Sequence, residues 1–379
     1  MHPGLSRINN NLKPYPFELK PKSECRIGLH QNDYLSLSCH PDVLAQKLEV
    51  LGRKAGQPLA STLFTGDGLE ENAQLRIALG AAMKAEDALL VSSGWAANVG
   101  LVEALAERDT PIYLDQRAHM SLWSGAKLSS GRTIMTRHND PGALERRMRL
   151  KGPGIVCIDA IYSSNGAVAD LRAYVEICER TGSVLIVDEA HSLLMRGQNG
   201  GGLAVQEGVA ERIHFRTASF SKALGGHGGC IVGSRDSIWY LKHRSFSSVF
   251  SSAPLDVDCA AHRAALEVEQ REPNRAIWAN QVAALLRQEL NERGIDTGAS
   301  ASQVISVPFT SEFDTCQAFG KLRDRGILTS VFIAPAAPLG KGFIRLSVNC
   351  EITVQDAKTA AQALFDVIGE IERKDYSTV

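Results

Sequence analysis

Asp188 and Lys222 stand at a spacing that suits covalent cofactor chemistry. Asp188 ends the apolar run Val184-Leu185-Ile186-Val187, and Lys222 closes Thr217-Ala218-Ser219-Phe220-Ser221-Lys222. His191 lies three residues after Asp188, and Gly225-Gly226-His227-Gly228-Gly229 follows the lysine. A short apolar run bounded by polar residues predicts a buried parallel strand. In open α/β sheets ligands sit beyond the carboxyl ends of such strands, which places Asp188 and His191 beside a ligand. Each residue alone has an ordinary use. An Asp at a strand end often caps the next helix, and a lone Lys is usually solvated. Together, about one βα unit apart, they supply a carboxylate and an amine to one site.

That pair suits pyridoxal 5'-phosphate. The cofactor needs a lysine to bind its aldehyde and a carboxylate to keep its ring nitrogen protonated. It also needs hydroxyls and backbone N–H groups for its phosphate. Lys222 and Asp188 fit the first two needs. His191 is placed to bond the ring hydroxyl and Ser219 to bond phosphate. The glycine run lacks G-x-G-x-x-G spacing, so it is a weak dinucleotide signal.

Composition narrows the class. The chain has 379 residues, with 44% hydrophobic and 22% charged, as in an ordinary globular enzyme with ample core. Its net charge of −1 points to neither nucleic acid nor an anionic membrane surface as partner. No apolar stretch approaches a bilayer span, and the polar first residues carry no signal core. The cysteines form no C-x-x-C, and Cys157 and Cys230 lie inside apolar runs. A cytoplasmic protein with reduced thiols and no metal site is expected.

Elements that could position these residues follow in order. Residues 1–45 read as an N-terminal arm. Pro41 to Ala55 is a helix with proline in its first turn. Gln57 to Gly68 is a small-residue loop. From Asp87 strand and helix alternate: strands at Ala88–Val91, Ile112–Leu114, Gly154–Ile158 and the Asp188 run, with Leu171–Thr181 as a crossover helix. Ser92-Ser93-Gly94-Trp95 opens a helix whose N-terminus is a natural phosphate site. Such alternation predicts an α/β fold with a mostly parallel, doubly wound sheet over residues 46–270. Beyond it, 271–379 reads as a small C-terminal α+β domain. Its strands fall at Gln303–Pro308, Ile327–Ile333 and Gly342–Val348, and a closing helix at Thr353–Ile371.

The chain resembles the α-oxoamine synthases, a branch of the fold-type I pyridoxal-phosphate enzymes. The likeness runs from Asn32-Asp33-Tyr34-Leu35 to Arg345. It is most specific at Ser93-Gly94-Trp95-Ala96-Ala97-Asn98, at Asp188-Glu189-Ala190-His191-Ser192, at Thr217 through Lys222 and at Phe343-Ile344-Arg345-Leu346-Ser347. The family condenses an amino acid with an acyl-CoA thioester. The resemblance implies that Lys222 holds the cofactor and acts as acid and base, and that Asp188 pairs with the ring nitrogen. It implies that His191 bonds the ring oxygen, that His119 stacks on the ring, and that Ser163 makes a weaker ring contact. Gly94, Trp95 and Ser219 would hold the phosphate, and Arg345 and Asn32 the substrate carboxylate. Ser252 matches a position that reaches the phosphate of a neighbouring subunit, which implies a homodimer with shared sites.

Within the family the chain is most similar to the branch that makes α-hydroxyketone quorum-sensing signals. Asn98-Val99-Gly100-Leu101, Ala118-His119-Met120-Ser121-Leu122-Trp123, Ser330-Val331-Phe332 and Thr62 carry that likeness. It implies a medium-chain acyl-CoA, with S-adenosylmethionine or 2-aminobutyrate as amino substrate. The glycine run after Lys222 is closer to the metabolic branch, which makes 8-amino-7-oxononanoate or 2-amino-3-oxobutyrate. Leu194 stands where the family has Gly. A third reading, a domain that binds the cofactor only for regulation, leaves Arg345 without a use.

Overall fold

The computed structural model describes residues 26–53, 60–65 and 70–376. Seven strands form the main sheet: β2 (Asp87–Val91), β3 (Pro111–Asp115), β4 (Arg132–Thr136), β5 (Ile155–Asp159), β6 (Val184–Asp188), β7 (Phe215–Ser219) and β8 (Gly229–Gly233). Their order is β2-β8-β7-β6-β5-β3-β4. β8 runs antiparallel to β2 and β7, and the other pairings are parallel.

The apolar runs of β5 and β6 are continuous because both faces of the sheet are covered. Successive side chains leave a strand on opposite faces. Accordingly Val156, Ile158, Leu185 and Val187 join one core, with Tyr174 and Val175 of the helix Leu171–Thr181. Cys157 and Ile186 join the other, with Leu101 of Gly94–Leu105 and Leu122 of Met120–Leu128. Each fully buried Leu, Ile or Val contributes about 1.5–3 kcal/mol. β4 is one of the two edge strands. It reads Arg-Thr-Ile-Met-Thr and is mostly exposed, so it carries no apolar run for sequence reasoning to find.

A second, antiparallel sheet has the order β11-β12-β9, from β9 (Val304–Phe309), β11 (Ser330–Phe332) and β12 (Gly342–Ser347). The helices Glu312–Asp324 and Val354–Tyr376 belong to its core. The single strand expected over Ile327–Ile333 breaks at Thr329. Its first part, β10 (Ile327–Leu328), pairs in parallel with β1 (Ile27–Gly28) instead. The described part of the expected arm is packed in. Ile27 and Leu29 join the C-terminal core, and Tyr34, Leu35, Leu37 and Val43 a core of the main sheet. Residues 1–25 of that arm lie outside the described residues.

The loop expected at Gln57–Gly68 holds a short helix, Thr62–Thr65, with Thr62 buried; residues 54–59 and 66–69 lie outside the described residues. The first long helix ends at Gly52. The glycine run after Lys222 answers to packing. Gly225 has φ of +68°, and a Cβ on Gly226 would meet the His262 ring at 2.4 Å.

Candidate active site

The carboxyl ends of β3, β5 and β6 bring three buried carboxylates, Asp115, Asp159 and Asp188, to one edge of the sheet. Asp159 and Asp188 are register partners on neighbouring strands. Their hydrogen-bond donors set them apart. Asp115 accepts from Arg117 N, Asn139 N, the Tyr162 hydroxyl and His138 Nδ1, at 2.6–3.0 Å. Asp188 accepts from Asn98 Nδ2 at 2.6 Å and from the backbone N–H of Ala190 at 2.9 Å. Asp159 accepts from His119 N at 3.1 Å. Burial first, and then repulsion from Asp188, push the Asp159 carboxyl well above its ordinary range.

Asn98 was quoted above only as part of a motif, yet it organises this edge. It lies one turn into the helix that Gly94 opens, four residues on, so both face the sheet edge. Its Oδ1 accepts from the Thr217 hydroxyl at 2.6 Å, and its Nδ2 also donates to Ser121 Oγ at 2.9 Å. Ser121 Oγ is 2.7 Å from His119 Nδ1. Asp188, Asn98, Thr217, Ser121 and His119 thus form one hydrogen-bonded group. That an Asn recurs one helical turn after Gly94 was the available signal. The partners Ser121 and Thr217 gave none.

His119 caps the helix Met120–Leu128 and keeps its ring exposed, edge-on to Trp95 with centroids 5.9 Å apart. Gly94 begins its helix against β7. A Cβ there would meet Ser219 Cβ at 2.6 Å, so only glycine lets the helix N-terminus approach Ser219 this closely. Ser219 Oγ lies 2.9 Å from Ser221 Oγ. The N–H groups of that helix start and the hydroxyls of Ser219 and Ser221 form a cradle of donors for an anion.

Lys222 is half-buried. Burial chiefly, and then Arg345, lower its proton affinity, while Asp188 opposes them. His191 is held well below its ordinary value by burial, then by Lys222, Arg345 and His119, so its ring is neutral. His191 Nδ1 lies 2.7 Å from the Tyr34 hydroxyl.

Arg345, on β12, carries the small sheet to the large one. Its Nη1 donates to the Ser163 carbonyl and its Nη2 to Asn32 Oδ1, both at 3.2 Å. Phe332 covers its guanidinium at 4.7 Å and stacks in turn on Phe343 at 4.8 Å. Arg345 is buried, and its Nε has no hydrogen-bond partner.

The structure therefore draws the expected site residues into three adjoining groups. Asp188 and His119 sit in the first, Gly94, Trp95 and Ser219 at the cradle, and Asn32, Ser163, His191 and Arg345 around Tyr34. Ser163 contributes its carbonyl. Ser252 stands apart, exposed, in a bridge with Ser61. Tyr34 and Asp159 were not singled out from sequence: Tyr34 looks like a core residue, and Asp159, though it ends an apolar run as Asp188 does, has no lysine or histidine partner nearby in sequence. Among the described residues no His, Cys, Asp and Glu are grouped to hold a metal, and no helix is long and apolar enough to cross a membrane.

Comparison with known proteins places the chain in a family. The aminotransferase class I and II profile matches residues 26–364. The chain is 35% identical over 328 residues to an 8-amino-7-oxononanoate synthase of Anaeromyxobacter, covering 85% of this chain and 81% of that one. It is 29% identical over 352 residues to the CAI-1 autoinducer synthase of Vibrio campbellii, covering 93% and 89%. A serine palmitoyltransferase of S. paucimobilis, solved with PLP and myriocin bound, superposes with a TM-score of 0.85 at 23% identity, covering 90% and 87%. The chain belongs to the aminotransferase class I and II family, in its α-oxoamine synthase branch, and is a pyridoxal-phosphate-dependent acyltransferase of the fold-type I architecture.

Proposed function

We propose that this enzyme transfers a medium-chain acyl group from acyl-CoA to the Cα of S-adenosylmethionine or 2-aminobutyrate, with release of CoA and loss of the carboxylate as CO2, giving the α-aminoketone precursor of an α-hydroxyketone signal. The observation that carries this reading is the wall beside Arg345. Val331 to Leu339 holds no charged residue, and the Phe332–Phe343 stack closes over the guanidinium. An uncharged acyl chain suits that wall, which offers a second carboxylate no cationic partner of its own. Similarity to the Vibrio campbellii synthase supports it.

The residues present fit the cofactor. The start of the helix at Gly94 and the hydroxyls of Ser219 and Ser221 would supply donors for its phosphate, shared with Trp95 N–H. Asp188, fixed by Asn98, would meet the ring nitrogen, His191 the ring oxygen, and the exposed His119 ring one face. When bound, pyridoxal phosphate supplies an electron sink joined to the substrate's Cα. Lys222, whose burial lowers its proton affinity, takes the Cα proton and later returns one. Arg345 and Asn32 hold the substrate carboxylate, to which the planar guanidinium is matched.

The division into a large domain at 46–270 and a small one at 271–379 belongs to the same reading, with substrate held between the two sheets. So does a homodimer. Phe64, Phe250, Trp239 and Phe246 are 81%, 79%, 64% and 61% exposed, and their helices touch one another near Ser252. A second copy covering them would carry Ser252 to its neighbour's phosphate. Light scattering tests this directly, and a monomer that still turns over contradicts it.

The metabolic reading rests on the glycine run after Lys222 and on the 35% identity to an 8-amino-7-oxononanoate synthase. Thioester preference separates the two: decanoyl-CoA favours the signal synthase, and pimeloyl or acetyl thioesters the metabolic enzyme.

A further inference from the structure

Tyr34 sits between the two ends of the site. Its side chain is fully buried, and its hydroxyl lies 2.7 Å from His191 Nδ1 and 3.3 Å from Asn32 Oδ1. Gln303 and Ser347 also approach that hydroxyl. The phenol has one proton to give. Asn32 Oδ1 already accepts from the cationic Arg345 Nη2 at 3.2 Å, so it is the poorer acceptor as well as the more distant one. His191 Nδ1 is the nearer, and its ring is neutral. Burial pushes the Tyr34 hydroxyl up to about 12, so it stays protonated across the working range.

The structure assigns Tyr34 as a positioning residue: by donating its proton to His191 Nδ1, it fixes the His191 tautomer that carries its proton on Nε2. A neutral imidazole has one donor and one acceptor nitrogen, and the bond made at one fixes the other. With Nδ1 occupied as acceptor, Nε2 keeps an N–H that would donate to the cofactor's ring oxygen and favour its anionic form. The inference rests on the proposed role of His191.

The test reads the tautomer itself. The protein is labelled with 15N at its histidine rings, and two-bond 15N–1H correlation spectra are recorded with and without pyridoxal phosphate. His191 is assigned with His191→Gln. The expected result is a proton on Nε2 and a bare Nδ1 in both states. In Tyr34→Phe that preference is lost. The pH midpoint of the bound cofactor's absorbance rises by about one unit, and kcat falls at least ten-fold with KM changed less than three-fold. A His191 proton on Nδ1 in the wild-type protein overturns the inference, as does a Tyr34→Phe protein with unchanged tautomer and midpoint. The wild-type spectrum decides the matter even if Tyr34→Phe does not fold. A protein that takes up no cofactor contradicts the proposed function instead, since the tautomer is also read without it.

Discussion

Asn98 Nδ2 donates to Asp188 Oδ2 at 2.6 Å, while Asn98 Oδ1 is itself fixed by the Thr217 hydroxyl, also at 2.6 Å. The carboxylate expected to face the ring nitrogen is therefore oriented by an amide that cannot flip without breaking both bonds. A hydrogen bond to a charged group is worth about 1.5–3 kcal/mol. Asn98→Ala is accordingly predicted to weaken cofactor affinity about ten- to a hundred-fold, measured by titrating the apo-protein with pyridoxal phosphate and following absorbance. Asn98→Asp, which places a second carboxylate against Asp188, is predicted to weaken it further. Wild-type affinity in Asn98→Ala would contradict this account of Asp188.

Two buried groups of the helix Asp256–Arg271 give stability opposite pH dependences. Burial depresses His262 from 6.5 to about 4, despite the bond between its ring and the His227 carbonyl. Its contribution is present above pH 6.5 and is lost as pH falls from there toward 4. Burial raises Glu269 from 4.5 to about 7, and its Oε2 has no hydrogen-bond partner. Its contribution is present below 4.5 and is lost as pH rises toward 7. Glu269→Gln is predicted to lose less Tm than the wild type between pH 5 and pH 8. His262→Gln is predicted to lose less between pH 7 and pH 4.5. Parallel melting curves at all pH values would remove both groups from the explanation.

Leu194 is buried in the core with φ of 61°, a left-handed conformation that branched and bulky residues rarely adopt. That backbone costs roughly 1–2 kcal/mol relative to glycine. Its side chain fills a core in which truncation to Ala costs about 2–5 kcal/mol. Filling wins over strain. Leu194→Gly is therefore predicted to destabilise the protein by about 1–3 kcal/mol, read from urea unfolding. An increase in stability would show that strain dominates.

Much of this was legible in the sequence, and the physical reason is that strand ends are loud. Val184–Asp188 announces itself because a two-sided sheet needs continuous apolar runs that stop at polar residues, whereas β7, Phe-Arg-Thr-Ala-Ser, has no such run and was noticed only for the hydroxyls before Lys222. What was not legible is side-chain partnership. Asn98 and Thr217 are 119 residues apart, and Tyr34 and His191 are 157 apart, so no local pattern joins them. β4 was silent because an exposed edge strand has no apolar run. The glycine run was legible but ambiguous. Gly226 gives way to His262, a neighbour that spacing alone does not reveal.

The most direct test of the proposed reaction is CoA release from decanoyl-, pimeloyl- and acetyl-CoA, each offered with S-adenosylmethionine, 2-aminobutyrate, alanine or glycine. The account predicts the highest kcat/KM for decanoyl-CoA with S-adenosylmethionine or 2-aminobutyrate, abolished in Lys222→Ala. Release confined to alanine or glycine with the pimeloyl or acetyl thioester would contradict it and make this a metabolic α-oxoamine synthase.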